Sequence, residues 1–178
     1  MTVIALPTLG VDIGGVIIDR SGHAAADDPT SSAYLDIPVV RHAFLALAFL
    51  NRKTRFRNRI HLISRRRNRN DEAGDRAWLA HRGFHEHTGI PTSHVHFCEE
   101  RDEKALICAR LGVTHAIDDR LEIIVALDGI VPHRILFHPD REEIDRTGVP
   151  LIGIHIAERW NDALAIIRST TPAFAPHR

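Results

Sequence analysis

The chain is 178 residues long, 44% hydrophobic and 26% charged, with a formal net charge of zero. That length suits one domain around a single core and is too short for two full ones. Nothing in the overall charge points to nucleic acid or a membrane surface, no apolar run is long enough to span a bilayer, and Met1-Thr2-Val3-Ile4-Ala5 lacks the basic start of a secretory signal, so a cytoplasmic location is expected.

In chain order, residues 9–13 read as a short buried strand whose end carries Asp12, a carboxylate that is costly there unless it is hydrogen-bonded, paired or metal-bound. Gly14 and Gly15 follow, where the backbone can approach a ligand closely, and then the apolar run 16–18 and Asp19, read as a turn residue. Residues 20–37, rich in Ala, Ser, Asp and Gly, read as a loop. Val40, Phe44, Leu47 and Leu50 fall near helical spacing and predict a helix over 38–53. An apolar strand over 60–64 ends in Ser64, and a helix over 71–82 opens with acidic residues and carries Trp78 and Leu79 on its core face. Strand 95–98, helix 101–111, strand 115–118 and helix 121–127 come next, with Asp118-Asp119 closing the strand. Strands over 135–137 and 151–156, a helix over 159–168 and a tail over 170–178 complete the chain.

Strand, helix, strand, repeated, predicts an α/β fold in three layers, a Rossmann-like parallel sheet with helices on both faces. Such a sheet binds ligands beyond the carboxyl ends of its strands, where the strand order changes direction. Asp12, Ser64 and the pair Asp118-Asp119 all stand at strand ends of that kind.

Charge is unevenly spread. From Arg52 to Arg69 there are nine basic residues, including Arg65, Arg66 and Arg67, and no acidic one, which makes a local positive field able to attract phosphate. Only Lys53 and Lys104 are lysines. Cys98 and Cys108 lack metal-type spacing and read as core residues, as does Trp160. His85/His87 and His94/His96 have strand-face spacing, but Gly89-Ile90-Pro91 separates the pairs and no zinc motif accompanies them.

The segment Gly10-Val11-Asp12-Ile13-Gly14-Gly15-Val16-Ile17-Ile18-Asp19, Ser64 after an apolar strand, Lys104 one helix before the paired acids, and Asp118-Asp119 together resemble the four motifs of the haloacid dehalogenase-like (HAD) hydrolase superfamily, mostly phosphatases working through an aspartyl-phosphate. The resemblance covers most of the chain and implies a single HAD-like domain over residues 1–178. It implies Asp12 as nucleophile, with Ser64 and Lys104 holding the phosphoryl oxygens. Mg²⁺ would be held by Asp12, Asp119 and the Gly14 carbonyl, with Asp118 placed just behind. A carboxylate can attack phosphorus directly and split hydrolysis into two steps, and Mg²⁺ prefers carboxylates, carbonyls and water beside substrate oxygens.

Two departures matter. The usual phosphatase of this superfamily has a second Asp, the general acid, two residues after the nucleophile; this chain has Gly14 there, and such acid-base help is typically worth about 10²- to 10⁴-fold. Asp19, His23 or a bound water are the candidates for its role. Many members also insert a cap domain, whereas here only the loop 20–37 stands in its place. A nearly capless site suits a bulky substrate such as a nucleotide, an oligonucleotide end or a phosphoprotein, or closure by a partner subunit, and a nucleotide or other phosphorylated metabolite is the expected substrate. Substrate contacts are then expected at Gly15, Arg65 and Arg66.

Competing readings are a 2-haloacid dehalogenase, which also lacks the second Asp but has no use for Asp118-Asp119 as metal ligands, and a catalytically impaired member that binds nucleic acid or a partner through residues 52–69. The run Val11-Asp12-Ile13-Gly14-Gly15 is also similar to the phosphate loop of actin-like sugar kinases, but those need two large lobes and a Thr where Val16 stands.

Overall fold

The computed structural model describes residues 6–21, 28–29, 31–66 and 69–171. The short strand β1 (Leu9–Val11) is central, because both of its edges are occupied. On one side it pairs in parallel with β2 (Ile60–Arg65), which pairs with β3 (Val95–Cys98); on the other it pairs with β4 (His115–Asp118), then β5 (His133–Phe137) and β6 (Ile154–Ala157). The six strands run in the order β3-β2-β1-β4-β5-β6, all parallel. The chain moves outward from β1 through β3 and then returns to the far side as β4, so the order reverses between β1 and β4. Asp12 lies one residue beyond that pairing.

The apolar runs form strands because alternate side chains fill two different cores. Leu9, Val11, Ile60, Leu62, Ile117, Ile135 and Phe137 point into the larger one. There they meet α2 (Ala43–Lys53), α3 (Arg69–His81), α4 (Phe84–Thr88) and α8 (Trp160–Thr170), while α1 (Ser32–Asp36) packs on α3. Ile63 and Ala116 point the other way, into a core shared with α5 (Arg101–Leu111) and α6 (Leu121–Ala126). Leu136 does the same beside Leu121 and Ile124, with Ile144 of α7 (Arg141–Thr147) against them. The three-layer α/β architecture expected from the alternation of strands and helices is therefore the observed one.

Trp78 and Trp160 are fully buried, and each indole nitrogen donates to a carbonyl at 2.9 Å, Ile37 O for Trp78 and Val16 O for Trp160. Cys98 and Cys108 are buried free thiols whose pKa values burial pushes up to about 11, which keeps them unreactive core residues.

Several boundaries differ from expectation. The helix expected over 38–53 begins only at Ala43, because Val39 pairs antiparallel with Ile18 and Val40 N donates to Ile17 O at 2.8 Å, which holds residues 38–40 extended. The loop expected over 20–37 contains α1, started by the Ser31 side chain, which accepts from Tyr34 N at 3.3 Å; residues 22–27 and 30 of that loop lie outside the described residues. Helices α4 and α7 are too short to raise a periodicity signal, although the Asp140 carboxylate caps α7 by accepting from Glu142 N and Glu143 N. The last strand is Ile154–Ala157 rather than 151–156, and α8 runs on to Thr170, into the expected tail. No described helix is long and apolar enough to cross a membrane.

Candidate active site

The reversal of strand order leaves a crevice beyond the ends of β1 and β4, on which the buried charges of Asp12, Lys104 and Asp118 converge. Asp12 is anchored by its own amide, which donates to Ile117 O at 2.9 Å, so its side chain emerges level with Asp118. Lys104, on the first turns of α5, reaches across and donates from Nζ to Asp12 Oδ1 at 2.8 Å and to Asp118 Oδ2 at 2.6 Å. The other oxygen of Asp118 accepts from Arg120 N at 3.0 Å, so both of its oxygens are engaged. Asp12, Lys104 and Asp118 are all buried.

Asp119 differs from its neighbours. Its Oδ1 is buried and has no hydrogen-bond partner among the described residues. Oxygens of Asp12, Asp118 and Asp119 lie within 4.8 Å of one another, the only such group of potential metal ligands among the described residues. Burial, and then the charges of Asp12 and Asp118, push the Asp119 carboxyl up to about 8. Burial lifts Asp118 to about 6 against the pull of Lys104. For Asp12, burial is outweighed by the charges of Lys104 and Arg66 and by the Lys104 hydrogen bond, which hold its carboxyl below the usual carboxylate range. The facing carboxylates hold Lys104 protonated despite its burial. Asp12 is thus the carboxylate of the cluster that is held ionised, and Asp119 the one whose ionised form burial and its neighbours disfavour most.

Gly15 is required by Asp119. Its φ is +74°, and a Cβ placed on it would stand 2.0 Å from Asp119 Oδ2. Gly15, where a substrate contact was expected, packs against Asp119 and is not among the residues lining the cavity. Ser64 is likewise fully buried at the end of β2, off the cavity wall; its Oγ makes no close hydrogen bond among the described residues but faces Asp12 and helps to hold that carboxyl down.

Around these residues lies a cavity of about 480 Å³, with walls that include Asp12, Gly14, Lys104, Asp118 and Asp119 from the motifs and Arg20, Tyr34, Arg65, Arg66 and Arg120 beside them. Arg66 Nε donates to Asp75 Oδ2 at 2.6 Å; Arg20 Nη2 donates to Tyr34 Oη at 2.6 Å and stands 3.5 Å from Asp75 Oδ1; and the Tyr34 hydroxyl donates to Asp75 Oδ1. Arg65 is engaged by Glu122 at 3.5 Å, as are Arg101 at 3.0 Å and Arg120 at 3.9 Å, so three guanidiniums share one carboxylate at the rim.

Sequence reasoning missed Tyr34, Asp75 and Arg20. The signal for Asp75 was available: it lies three and four residues before Trp78 and Leu79, on the buried face of the expected helix, where a carboxylate needs partners. Among the candidates for the missing acid, Asp19 accepts from Ser21 N at 3.0 Å in a tight turn and is not on the cavity wall; His23 lies outside the described residues.

The basic segment from Arg52 to Arg69 does not form one surface. Arg52 donates to Glu86 O and His87 O, and Arg59 to Pro7 O and Thr8 Oγ1, at the amino end of β2, whereas Arg65 and Arg66 leave its carboxyl end, roughly 20 Å away at the usual rise of a strand; Arg67 lies outside the described residues. The histidines follow local demands: His85, His87 and His94 each bond through Nδ1 to a backbone carbonyl at 2.7–2.9 Å, and His96 bonds to His61 at 3.1 Å.

No protein-family model matches the chain, and no curated protein matches it by sequence. Solved structures do resemble it. D,D-heptose 1,7-bisphosphate phosphatase from Burkholderia thailandensis superposes with a TM-score of 0.55 at 14% identity, over 92% of this chain and 99% of that one. The HAD domain of the effector protein Lem4 from Legionella pneumophila gives a TM-score of 0.42 at 11% identity, over 92% and 94% of the two chains. The parallel sheet with its reversal between β1 and β4, and the likeness to the heptose bisphosphate phosphatase over nearly its whole length, establish that this chain has a HAD-like fold.

Proposed function

We propose that the protein is a Mg²⁺-dependent phosphatase that forms an aspartyl-phosphate on Asp12. The observation that carries this reading is the position of Lys104, which ties an ionised Asp12 to Asp118 beside the orphaned carboxylate oxygen of Asp119. A cation would neutralise the carboxylate charge that this arrangement leaves unpaired. The donor set fits Mg²⁺: hard oxygen ligands from Asp12 and Asp119, with the Gly14 carbonyl available at the same turn, while Asp118 is occupied by Lys104 and Arg120 N. Bound there, Mg²⁺ supplies charge neutralisation for the transferring phosphoryl group.

The chain's own residues account for the rest. Asp12, kept ionised by Lys104 and Arg66, attacks phosphorus. Lys104 offsets the repulsion between Asp12 and the incoming phosphate. The Ser64 hydroxyl, buried beside Asp12, would donate to a phosphoryl oxygen brought to that carboxylate. Arg65 and Arg120, two of the three arginines gathered on Glu122, line the cavity and suit a polyanionic substrate such as a nucleotide or an oligonucleotide end. Dehalogenation would leave Asp119 without a use, and the division of the basic segment between two ends of β2 weighs against binding nucleic acid along it.

The test is orthophosphate release from p-nitrophenyl phosphate, acetyl phosphate and a panel of nucleotides and sugar phosphates, with Mg²⁺ and with chelator. Turnover that needs Mg²⁺ and disappears in a folded Asp12→Asn variant is expected; turnover that survives that substitution overturns the reading.

A further inference from the structure

Position 14 looks onto two guanidiniums. A Cβ built there would lie 3.0 Å from Arg20 Nε and 3.3 Å from Arg66 Nη2. Both arginines are held from behind by Asp75, which is fully buried on α3 and is itself bonded to Tyr34. Asp75 is thus shared by two permanent positive charges, while Arg66 also acts on Asp12 and Asp71 lines the same cavity. Arg66 keeps one donor in reserve: its Nε donates to Asp75 and its Nη1 to Arg65 O at 3.2 Å, but its buried Nη2 has no partner among the described residues. A buried guanidinium nitrogen left over in this way is a donor awaiting an oxygen.

We infer that Arg20 and Arg66 receive the leaving oxygen as an unprotonated anion, so that the substrates are phosphoanhydrides, acyl phosphates or aryl phosphates, whose leaving groups are acidic, rather than alkyl phosphates. This rests on the phosphatase reading and specifies its substrate class. A guanidinium does not give up a proton at working pH, since its pKa exceeds about 12. Tyr34, the remaining hydroxyl on this wall, already donates to Asp75, and burial together with the Asp75 charge holds its ionisation above the ordinary tyrosine value. An alkoxide, nearly as basic as hydroxide, needs a proton in order to depart, whereas a phosphate leaving group, whose second ionisation is near pH 6, does not. The guanidinium fork also matches the paired oxygens of a phosphate or carboxylate.

The steps balance without an acid. An Asp12 oxygen forms a bond to phosphorus while the bond from phosphorus to the leaving oxygen breaks, and the electron pair stays on that oxygen, beside Arg20 and Arg66. Water then adds to phosphorus as the bond to Asp12 breaks, the carboxylate recovers its electron pair, and both hydrogens of the water leave on dihydrogen phosphate.

The experiment measures kcat/KM at saturating Mg²⁺ for phenyl phosphates graded from nitro- to methyl-substituted, together with acetyl phosphate, a nucleoside diphosphate and glycerol phosphate. The expected result is a steep fall as the leaving group becomes more basic, with glycerol phosphate about 10²- to 10⁴-fold below p-nitrophenyl phosphate, the usual worth of a missing general acid. Arg20→Met, at a half-exposed side chain, is expected to lower kcat/KM for p-nitrophenyl phosphate about tenfold or more and steepen the series, with Arg20→Lys recovering part of the loss. A flat series, or glycerol phosphate turned over as fast as the aryl esters, overturns the inference and leaves the phosphatase reading standing. No orthophosphate from any substrate overturns both.

Discussion

Lys104 Nζ lies 2.6 Å from Asp118 Oδ2 and 2.8 Å from Asp12 Oδ1, so one ammonium from α5 joins the ends of two neighbouring strands. Its stem crosses to both carboxylates from a buried position, and the three groups have become mutually dependent. Removing one member of a buried ion pair is far more costly than never having built it, because the partner charge is left without compensation.

Lys104→Met should therefore lower stability by about 3–5 kcal/mol, an amount typical of breaking a buried pair. Part of that loss should return at low pH, where Asp118, already lifted by burial to about 6, takes up a proton. Urea unfolding at two pH values checks this, and a variant as stable as the parent would contradict it.

Above the histidine range, the metal-free protein should lose stability as pH rises. Asp119 has a folded-state pKa raised to about 8 from an ordinary value of 3.8, so it binds a proton more tightly folded than unfolded. Its contribution is complete below about pH 4 and is lost as pH climbs through about 8. Asp118, raised to about 6, acts in the same direction over a lower window, while the lowered Asp12 opposes both at the acid end. Thermal unfolding in chelator between pH 7 and 9, above the range in which the burial-lowered His61, His96, His115 and His133 make stability rise with pH, should show Tm falling with pH, and Asp119→Asn should flatten that fall.

Mg²⁺ should reverse this trend. At a concentration of 100 times Kd, a ligand of the folded state adds about 2.7 kcal/mol, and for a chain of this size each kcal/mol moves Tm by roughly 2–4 °C. A rise in Tm of several degrees on adding Mg²⁺, larger at pH 8 than at pH 6 and absent in Asp119→Asn, is the expected pattern.

Gly15→Ala should disable the same site through the backbone. The added Cβ would meet Asp119 Oδ2 at 2.0 Å, and φ is +74°. A cost of about 1–3 kcal/mol in stability is expected from the strained conformation alone, together with loss of the Mg²⁺-induced shift in Tm. An unchanged shift would mean that Asp119 is not a ligand.

Asp75→Asn should separate the wall from the nucleophile. Arg66 and Arg20 lose their shared counter-charge, so turnover should fall at least tenfold while the Mg²⁺ shift in Tm, which depends on Asp12 and Asp119, persists. Loss of the Mg²⁺ response in a folded Asp75→Asn protein would contradict the division.

Much of this was determined by the sequence alone. Short apolar runs ending in Asp12, Ser64 and Asp118-Asp119, separated by helical spacing, specify a parallel sheet and place the carboxylates at its active edge, because burial and periodicity are local properties. Lys104 stood out through the scarcity of lysine. Only the tertiary structure decided what surrounds Gly14. Asp75 lies 41 residues beyond Tyr34 and 9 beyond Arg66, and a hydrogen-bonded group assembled from such separations leaves no mark in any one segment. The same holds for the basic segment, whose continuity in sequence was broken by β2 running through its middle. Side chains six residues apart on a strand leave opposite ends of the sheet, so a run of like charge became structural contacts at one end and a wall of the cavity at the other.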